Sequence, residues 1–561
     1  MRRRRAILAI LCLCVLAVFG RIAGHEFTEW DDRSTIWGNP RLNPPTLQNT
    51  LWYWRHAEMS IYIPLTRTVW AALAAVGRVQ TPGQGASVNP WVFHAASVLL
   101  HMATACVVFV VLTRLVGGRH EGTEARRHEG TKAMGNDEVR SPKPQRMTNG
   151  EIRRQTGNWQ PATGNSAPIE NRKSKIENVP PWPALAGTLL FALHPVQVEP
   201  AAWASGMKDL LWGLFAMIAL WQYIQFAAPD AGVPASRRKL HYGLALLAFL
   251  LAVLSKPTAV VVPLILGIVD YWALRRPARQ VLANLGPWLI VSAAFAIVAR
   301  TVQTAEGVPL TPVWTRPLIA GDALAFYLYK LLWPVGLTVD YGRRPTIVMQ
   351  QAWVYVAWVV PAAVFVVLWL ARRRAPLVFV GGLIFVAALL PVLGFVPFLF
   401  QYYSTVADHY LYVAMLGPAL GLAWGLSAVR QAVWHIATAC ALVMLACLSF
   451  IEAGYWRSSL DLWQRAVAVN PDSFLAHASL GNALVPADLP RAMQHWRRAL
   501  EINPDHQPPR TMLAGAHAAL GQLALERGQT EQAIRHFQEA LRLIPDHPSA
   551  AAGLAAAQRG R

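Results

Sequence analysis

Two adjacent carboxylates, Asp31 and Asp32, follow the first apolar segment of the chain in the run Glu29-Trp30-Asp31-Asp32-Arg33. Further along stand His194 and Glu199, the pair Lys208-Asp209, Lys256, Arg300 and the pair Asp408-His409, each at or beside the end of an apolar block. An ionisable side chain in a membrane span costs about 2.5–3.5 kcal/mol on insertion scales, so such residues point to function or to a partner. Their mixture has a chemical logic. Cations can hold a phosphate and stabilise it as a leaving group. A carboxylate within hydrogen-bond reach of a hydroxyl can take its proton as the oxygen attacks, adding a factor of about 10² to 10⁴. A polyprenyl-phosphate sugar, with its tail in lipid and its phosphodiester at the membrane mouth, would use both, and this scheme needs no metal. The paired carboxylates could instead bind a divalent cation, Mg²⁺ or Mn²⁺, through oxygen. The bland alternatives are a solvated loop end for Asp31 and Asp32, a helix-end histidine before a proline turn for His194, and snorkelling for Lys256, Arg300 and above all Lys208.

The elements that must position these groups are membrane helices. Of 561 residues, 54% are hydrophobic and 15% charged, and the apolar residues form long uninterrupted blocks. Net charge is +20, but the basic residues gather in loops between apolar blocks, as at Arg237-Arg238-Lys239, Arg275-Arg276 and Arg372 to Arg374. The charge therefore reports topology and contact with anionic membrane lipids, not nucleic acid. All five cysteines lie in apolar segments without metal-ligand spacing, which argues against both a disulfide framework and zinc. Spans are expected near 6–23, 89–116, 183–197, 208–227, 241–255, 258–273, 281–300, 352–371, 376–396, 410–428 and 431–452, about eleven in all. Arg2 to Arg5 keep the N-terminus cytoplasmic as a retained signal anchor, which sends Asp31 and Asp32 across and puts the basic loops on the cytoplasmic side. The apolar stretch 316–345 would upset this alternation as a crossing, so it is expected to be a helical hairpin on the outer side.

The predicted fold class is thus all-α: a polytopic helical domain over 1–452, followed by a soluble α-solenoid over 453–561 on the non-cytoplasmic side. Residues 117–180, poor in large apolar side chains and carrying the duplication Arg119-His120-Glu121-Gly122-Thr123 and Arg127-His128-Glu129-Gly130-Thr131, are expected to be a disordered basic cytoplasmic insertion. In the C-terminal part, Pro471, Pro504 and Pro545 each close an Ala-rich helix end. Unit 514–547 sets Leu520-Gly521, Gly528, Ala533, Phe537, Ala540 and Pro545 at tetratricopeptide spacing; unit 473–506 is recognisable through Gly481, Ala492, Trp496, Ala499 and Pro504 but is about one residue short between its helices. Residues 456–470 read as the second helix of a degenerate first unit with Trp463 as its aromatic, and 548–558 as a cap.

The block Trp30 to Pro40, with Leu193-His194-Pro195-Val196-Gln197-Val198-Glu199, Gly206 to Leu211, Ser255-Lys256-Pro257-Thr258, Tyr329 to Pro334, Asp340-Tyr341 and Ala407 to Tyr412, resembles the transmembrane and tetratricopeptide-repeat-containing glycosyltransferases, bacterial relatives included. The ordered set carries the resemblance, which covers most of the chain outside 117–180. It implies a type C glycosyltransferase fold, a polyprenyl-phosphate-linked sugar donor, inversion at the anomeric carbon and, in the eukaryotic members, O-mannosylation of protein Ser or Thr. The catalytic carboxylate then maps to Asp31 or Asp32. Lys256, His409 and Arg300 are expected on the donor phosphate, and His194, Glu199, Asp209 and Asp408 are expected to position donor or acceptor. This chain departs from the pattern at Gln197, where relatives often have a second histidine, at Pro257, where some have an acidic residue, and at His409, where many have arginine. The repeats would offer a groove to a protein or peptide acceptor. The competing expectation is a membrane-anchored repeat scaffold without catalysis; a lipid or polysaccharide acceptor is a third.

Overall fold

In lipid a backbone satisfies its amides within a helix, and the computed structural model of the chain is accordingly almost entirely helical. It describes residues 2–81, 85–134, 181–229, 232–303 and 311–559. Among the described residues the named strands form one antiparallel ribbon, Arg78–Thr81 against Gly85–Val88. Among the described residues seven helices are long and apolar enough to cross a membrane: Arg4–Gly24, Pro90–Gly117, Ala204–Ala227, Ala235–Ser255, Ala278–Val302, Val354–Ala371 and Ala432–Gly454. A pair bent by 47°, Asp408–Ala414 and Leu416–Ala428, would make an eighth. The other three expected spans are the shorter apolar helices Trp182–Leu193, Pro257–Ala273 and Pro376–Val392. Length and composition thus support seven or eight crossings, and an apolar helix stands at every expected position. The segment Val354–Ala371 is the most outlying, with 6% of its apolar window buried inside the molecule.

Two expectations differ from the structure. The stretch 316–345 is one helix, Arg316–Leu332, with a non-helical return to Arg344, not a helical hairpin. Pro334 biases the chain before it away from helix, and Gly336 takes a positive φ of 66°. The return is tied back where Arg343 donates to both carboxylate oxygens of Asp322 at 2.6 Å and Trp353 Nε1 adds a third bond at 3.2 Å. The helix beginning at Pro90 continues to Met134, so residues 117–134 are helical where disorder was expected. Residues 135–180 of that insertion lie outside the described residues.

Small residues let helices cross backbone to backbone. A Cβ on Gly381 would collide with the carbonyl of Gly417, one on Gly417 with the carbonyl of Gly381, and one on Gly187 with the carbonyl of Ala419. Helices Trp182–Leu193, Pro376–Leu389 and Leu416–Ala428 therefore share one close-packed knot, with van der Waals contact in place of a hydrophobic driving force. The knot brings the segment after the first helix to the segment before the third. Those segments carry Glu199 and Asp408-His409.

The repeat helices are Ser459–Val469, Phe474–Leu484, Leu489–Ile502, Gln507–Glu526, Thr530–Leu543 and Pro548–Arg559. Ser458, Ser473 and Asp488 accept from backbone amides as N-caps. Trp496 fills the space left by Gly481, and Phe537 that left by Gly521 and Gly553, so the last helix closes the array. A pair of histidines recurs at the same phase in two units. His477 and His495 face each other at 2.9 Å between Nδ1 atoms, His517 and His536 at 3.1 Å. The Pro471 carbonyl 3.0 Å from His477 Nε2 requires a proton there, so His477 Nδ1 accepts from His495. Arg497 donates to His517 Nε2 at 3.3 Å, so His517 Nδ1 donates to His536.

Two outcomes are expected. Gly381→Val should lower stability by about 1–3 kcal/mol through overpacking, read by thermal unfolding in detergent. All four paired histidines are held below their ordinary value of 6.5, first by burial. Nearby charges, from Arg491, Arg498, Asp472 and Glu501 at the first pair and Arg497, Arg535, Arg542 and Glu539 at the second, act less strongly. The unfolded chain therefore binds more protons, and repeat stability is full above 6.5 and falls as pH drops below it. The protection of the amides of residues 473–559 against hydrogen exchange, taken relative to the free-peptide exchange rate at each pH, should fall on acidification through that range, and a His495→Asn/His536→Asn variant should flatten the dependence.

Candidate functional site

The ends of several helices meet around Asp31 and Asp32, and these neighbours face opposite ways. Asp32 is fully buried. Its Oδ1 accepts from the amide and hydroxyl of Ser205 at 2.9 and 2.7 Å, and its Oδ2 from the amide and hydroxyl of Thr28 at 2.9 and 3.1 Å. Burial pushes its pKa up to about 6 against the pull of these donors. Asp32 is thus the peg that fixes the loop to the turn Ala204–Gly206. Thr35 reinforces it, with its hydroxyl 2.6 Å from Ser205 Oγ and 2.7 Å from the Asp31 carbonyl. Asp31 has no such cage: its side chain is 32% exposed and meets Lys208 Nζ at 3.8 Å. The two carboxylates have separate partners on the protein. Among the described residues no group of three or more His, Cys, Asp or Glu side chains is arranged to hold a metal ion.

Lys208 begins the helix Met207–Ala227 and lies over the Trp203 ring at 4.1 Å. It was expected to snorkel; instead its side chain is 12% exposed and turned to Asp31. Lys256, at the end of Ala235–Ser255, reaches Asp209 Oδ1 at 2.5 Å, with the Tyr410 ring 5.5 Å from its ammonium. Trp212 Nε1 also donates to Asp209 Oδ1, at 3.3 Å. Asp209 Oδ2 is buried without a hydrogen-bond partner among the described residues. This end of the pair is an acceptor ready for a donor group.

Glu199 and His409 form the next pair. Glu199 Oε2 accepts from the His409 amide at 2.9 Å, and Oε1 lies 2.9 Å from His409 Nδ1. Burial pushes the Glu199 carboxyl well up, and Asp209 adds to it. His409, expected on a phosphate, has committed Nδ1 to Glu199 and sits against Trp203, Phe400 and Tyr410. Asp408 receives the Tyr341 hydroxyl on both oxygens, at 2.9 and 3.0 Å. A small cavity, about 10 Å³, lies among Glu199, Asp408, Glu452 and Arg465, the size of one water.

Two expected residues stand apart. His194 is fully buried, its Nε2 donating to the Leu331 carbonyl at 3.1 Å and its Nδ1 accepting from the Val196 amide at 3.4 Å, so it joins two helices and has no polar atom left for a ligand. Arg300 is exposed near the end of Ala278–Val302 and makes no ion pair with the cluster. A buried cation absent from the sequence reading is Arg67, on the helix Pro64–Val76. It donates to the Thr35 carbonyl at 3.0 Å and pairs with Glu58 at 3.0 Å. Thr66 beside it bonds the Ser255 carbonyl at 2.9 Å, next to Lys256. Arg67 lies on a helix of 13 residues, shorter than an expected span, so no hydropathy signal marks it; its place between aromatic Tyr53 and Trp70 emerges only on folding.

Residues 514–547 match the tetratricopeptide repeat family model. No curated protein matches the chain. Several long apolar helices joined to a tetratricopeptide repeat fit a membrane-anchored repeat protein, and such repeats generally mediate protein interactions.

An amide at position 32 would turn one acceptor oxygen into a donor facing Ser205 or Thr28. Asp32→Asn should therefore lose about 1–3 kcal/mol of stability, whereas Asp31→Asn should change it by less than about 0.5 kcal/mol. Thermal unfolding of the two variants in the same detergent separates them.

Proposed function

We propose that the chain is an inverting membrane glycosyltransferase that moves a mannose-like sugar from a polyprenyl-phosphate donor to a hydroxyl acceptor, with protein Ser or Thr as that acceptor. The observation that carries this reading is the division of labour between the adjacent aspartates. Asp32 spends its oxygens on Ser205 and Thr28, and Asp31 is left accessible beside a lysine. Asp31 is the general base. It takes the acceptor proton as the hydroxyl oxygen forms its bond to the anomeric carbon, and the bond from that carbon to the phosphate oxygen breaks on the opposite face. The phosphate leaves with its charge, met by Lys208 and Lys256 in a low-dielectric mouth where such contacts are strong. Lys256 reaches the phosphate while its charge is balanced by Asp209. Asp209 Oδ2 and the Glu199–His409 pair are the hydrogen-bonding groups for sugar or acceptor hydroxyls. In this reading the site opens on the periplasmic side of the inner membrane, with the N-terminus cytoplasmic and residues 453–561 presenting a protein acceptor.

A second reading, a non-catalytic scaffold for envelope proteins, draws on the match confined to the repeat and on Lys256 being already paired with Asp209. One assay decides between them: transfer by purified membranes given a radiolabelled polyprenyl-phosphate mannose. Asp31→Asn should lower transfer by about 10²-fold or more at unchanged expression. Equal labelling by Asp31→Asn and the native chain would overturn the enzyme reading in favour of the scaffold.

A further inference from the structure

We propose that the helix Ser459–Val469, the first of the repeat array, is a positioning element of the Asp31 loop and not only the start of an acceptor-binding surface. This rests on the transferase reading above. The loop is gripped from two sides. On the membrane side Ser205 holds Asp32. On the repeat side the Glu26 amide donates to the Arg457 carbonyl at 3.0 Å and the Glu29 amide to Ser459 Oγ at 2.8 Å. Trp30 then meets Trp463 edge to face, with ring centroids 5.7 Å apart and planes at 74°. Asp31 is the residue between the two grips, with Trp30 before it and Asp32 after.

The ring contacts extend this grip to the counter-ion. Tyr403 at 5.6 Å and Trp203 at 6.5 Å complete the aromatic surroundings of Trp30. Trp203 is the ring under the Lys208 ammonium, which itself faces Asp31. A shift of Trp30 would therefore displace the carboxylate and its cation together. Trp463 departs from its counterparts in the array. Trp496 and Phe537 close on Gly481 and Gly521 within their own units, whereas Trp463, fully buried, closes on the loop. Its indole N–H is buried without a partner among the described residues, so ring packing and not a hydrogen bond holds it there. A base must stand within about 3–3.5 Å of the reacting hydroxyl, and a misplacement of about 1 Å can lower the rate about 10²-fold.

The test uses the full chain in membranes, with Trp463→Ala, Ser459→Ala and Trp463→Phe. Two activities are followed: release of sugar from polyprenyl-phosphate mannose to water, and transfer to a short Ser/Thr peptide. Positioning predicts that Trp463→Ala lowers kcat for both by about tenfold to 10²-fold with donor KM unchanged, that Ser459→Ala does so more weakly, and that Trp463→Phe restores most of the rate. A rise in peptide KM alone, with kcat intact, would overturn it, since that is the signature of acceptor binding only. Hydrogen exchange supplies a readout free of activity: the Glu26 and Glu29 amides should lose protection in Trp463→Ala while the amides of residues 489–543 keep theirs. Unchanged protection at Glu26 and Glu29 would overturn the positioning role alone. A native chain that turns over neither substrate while Trp463→Ala still loosens those amides would overturn the transferase reading and leave the coupling of loop to repeat standing.

Discussion

A carboxylate taken out of water must be met by donors, and the four that meet Asp32 come from two separate parts of the chain, Thr28 and Ser205. That requirement makes the loop after the first helix a fixed object. With Asp32 turned inward onto those donors, Asp31 is left partly exposed and facing Lys208. The same requirement brings the head of the helix Met207–Ala227 to the loop, so that Lys208 and Asp209 arrive with opposite duties, one toward Asp31 and the other toward Lys256. Buried ion pairs of this kind add little net stability, because desolvation offsets attraction. Their effect is geometric: a charge that is costly to leave unpaired specifies one arrangement of the ends that carry it.

Ionisable groups at these helix ends are partnered in pairs. Asp31 faces Lys208, Asp209 faces Lys256, and Glu199 faces His409. Each lysine is thereby balanced by a carboxylate on the protein side. Arg300, exposed near the end of its helix, stands outside these pairs. Arg67, tied to the Thr35 carbonyl and Glu58, supplies a buried positive charge on the loop side without coming from a crossing helix.

Much of this was legible in the residues. Apolar runs long enough to cross a membrane announce themselves because hydropathy is a property of composition, and the repeat phase is set by small and aromatic residues whose spacing survives at the level of the string. The docking of Trp463 was not legible, nor was the split between Asp31 and Asp32. Both depend on which way a side chain turns in a loop, and no period governs that. Lys208 looked like a snorkelling residue because sequence reports the helix end but not the Trp203 ring beneath the ammonium. The segment after Leu332 differs for another reason: its composition is apolar enough for a hairpin, yet the chain leaves the helix before Pro334, turns at Gly336 and returns without a second helix.

The helix segment Val354–Ala371 touches its neighbours least, with 6% of its window buried, while Gly381 and Gly417 on the helices of the knot admit not even a methyl group. Mutation should therefore leave very different marks on the two places over generations. Along the outlying segment Val, Leu, Ile and Phe are interchangeable coins, since lipid reads only that they are oily, and its spelling is free to wander in descendants of this gene. At the glycine crossing the alphabet has a single letter. Homologues that keep the knot and rewrite the outlying segment would look distantly related while keeping the same helix crossing.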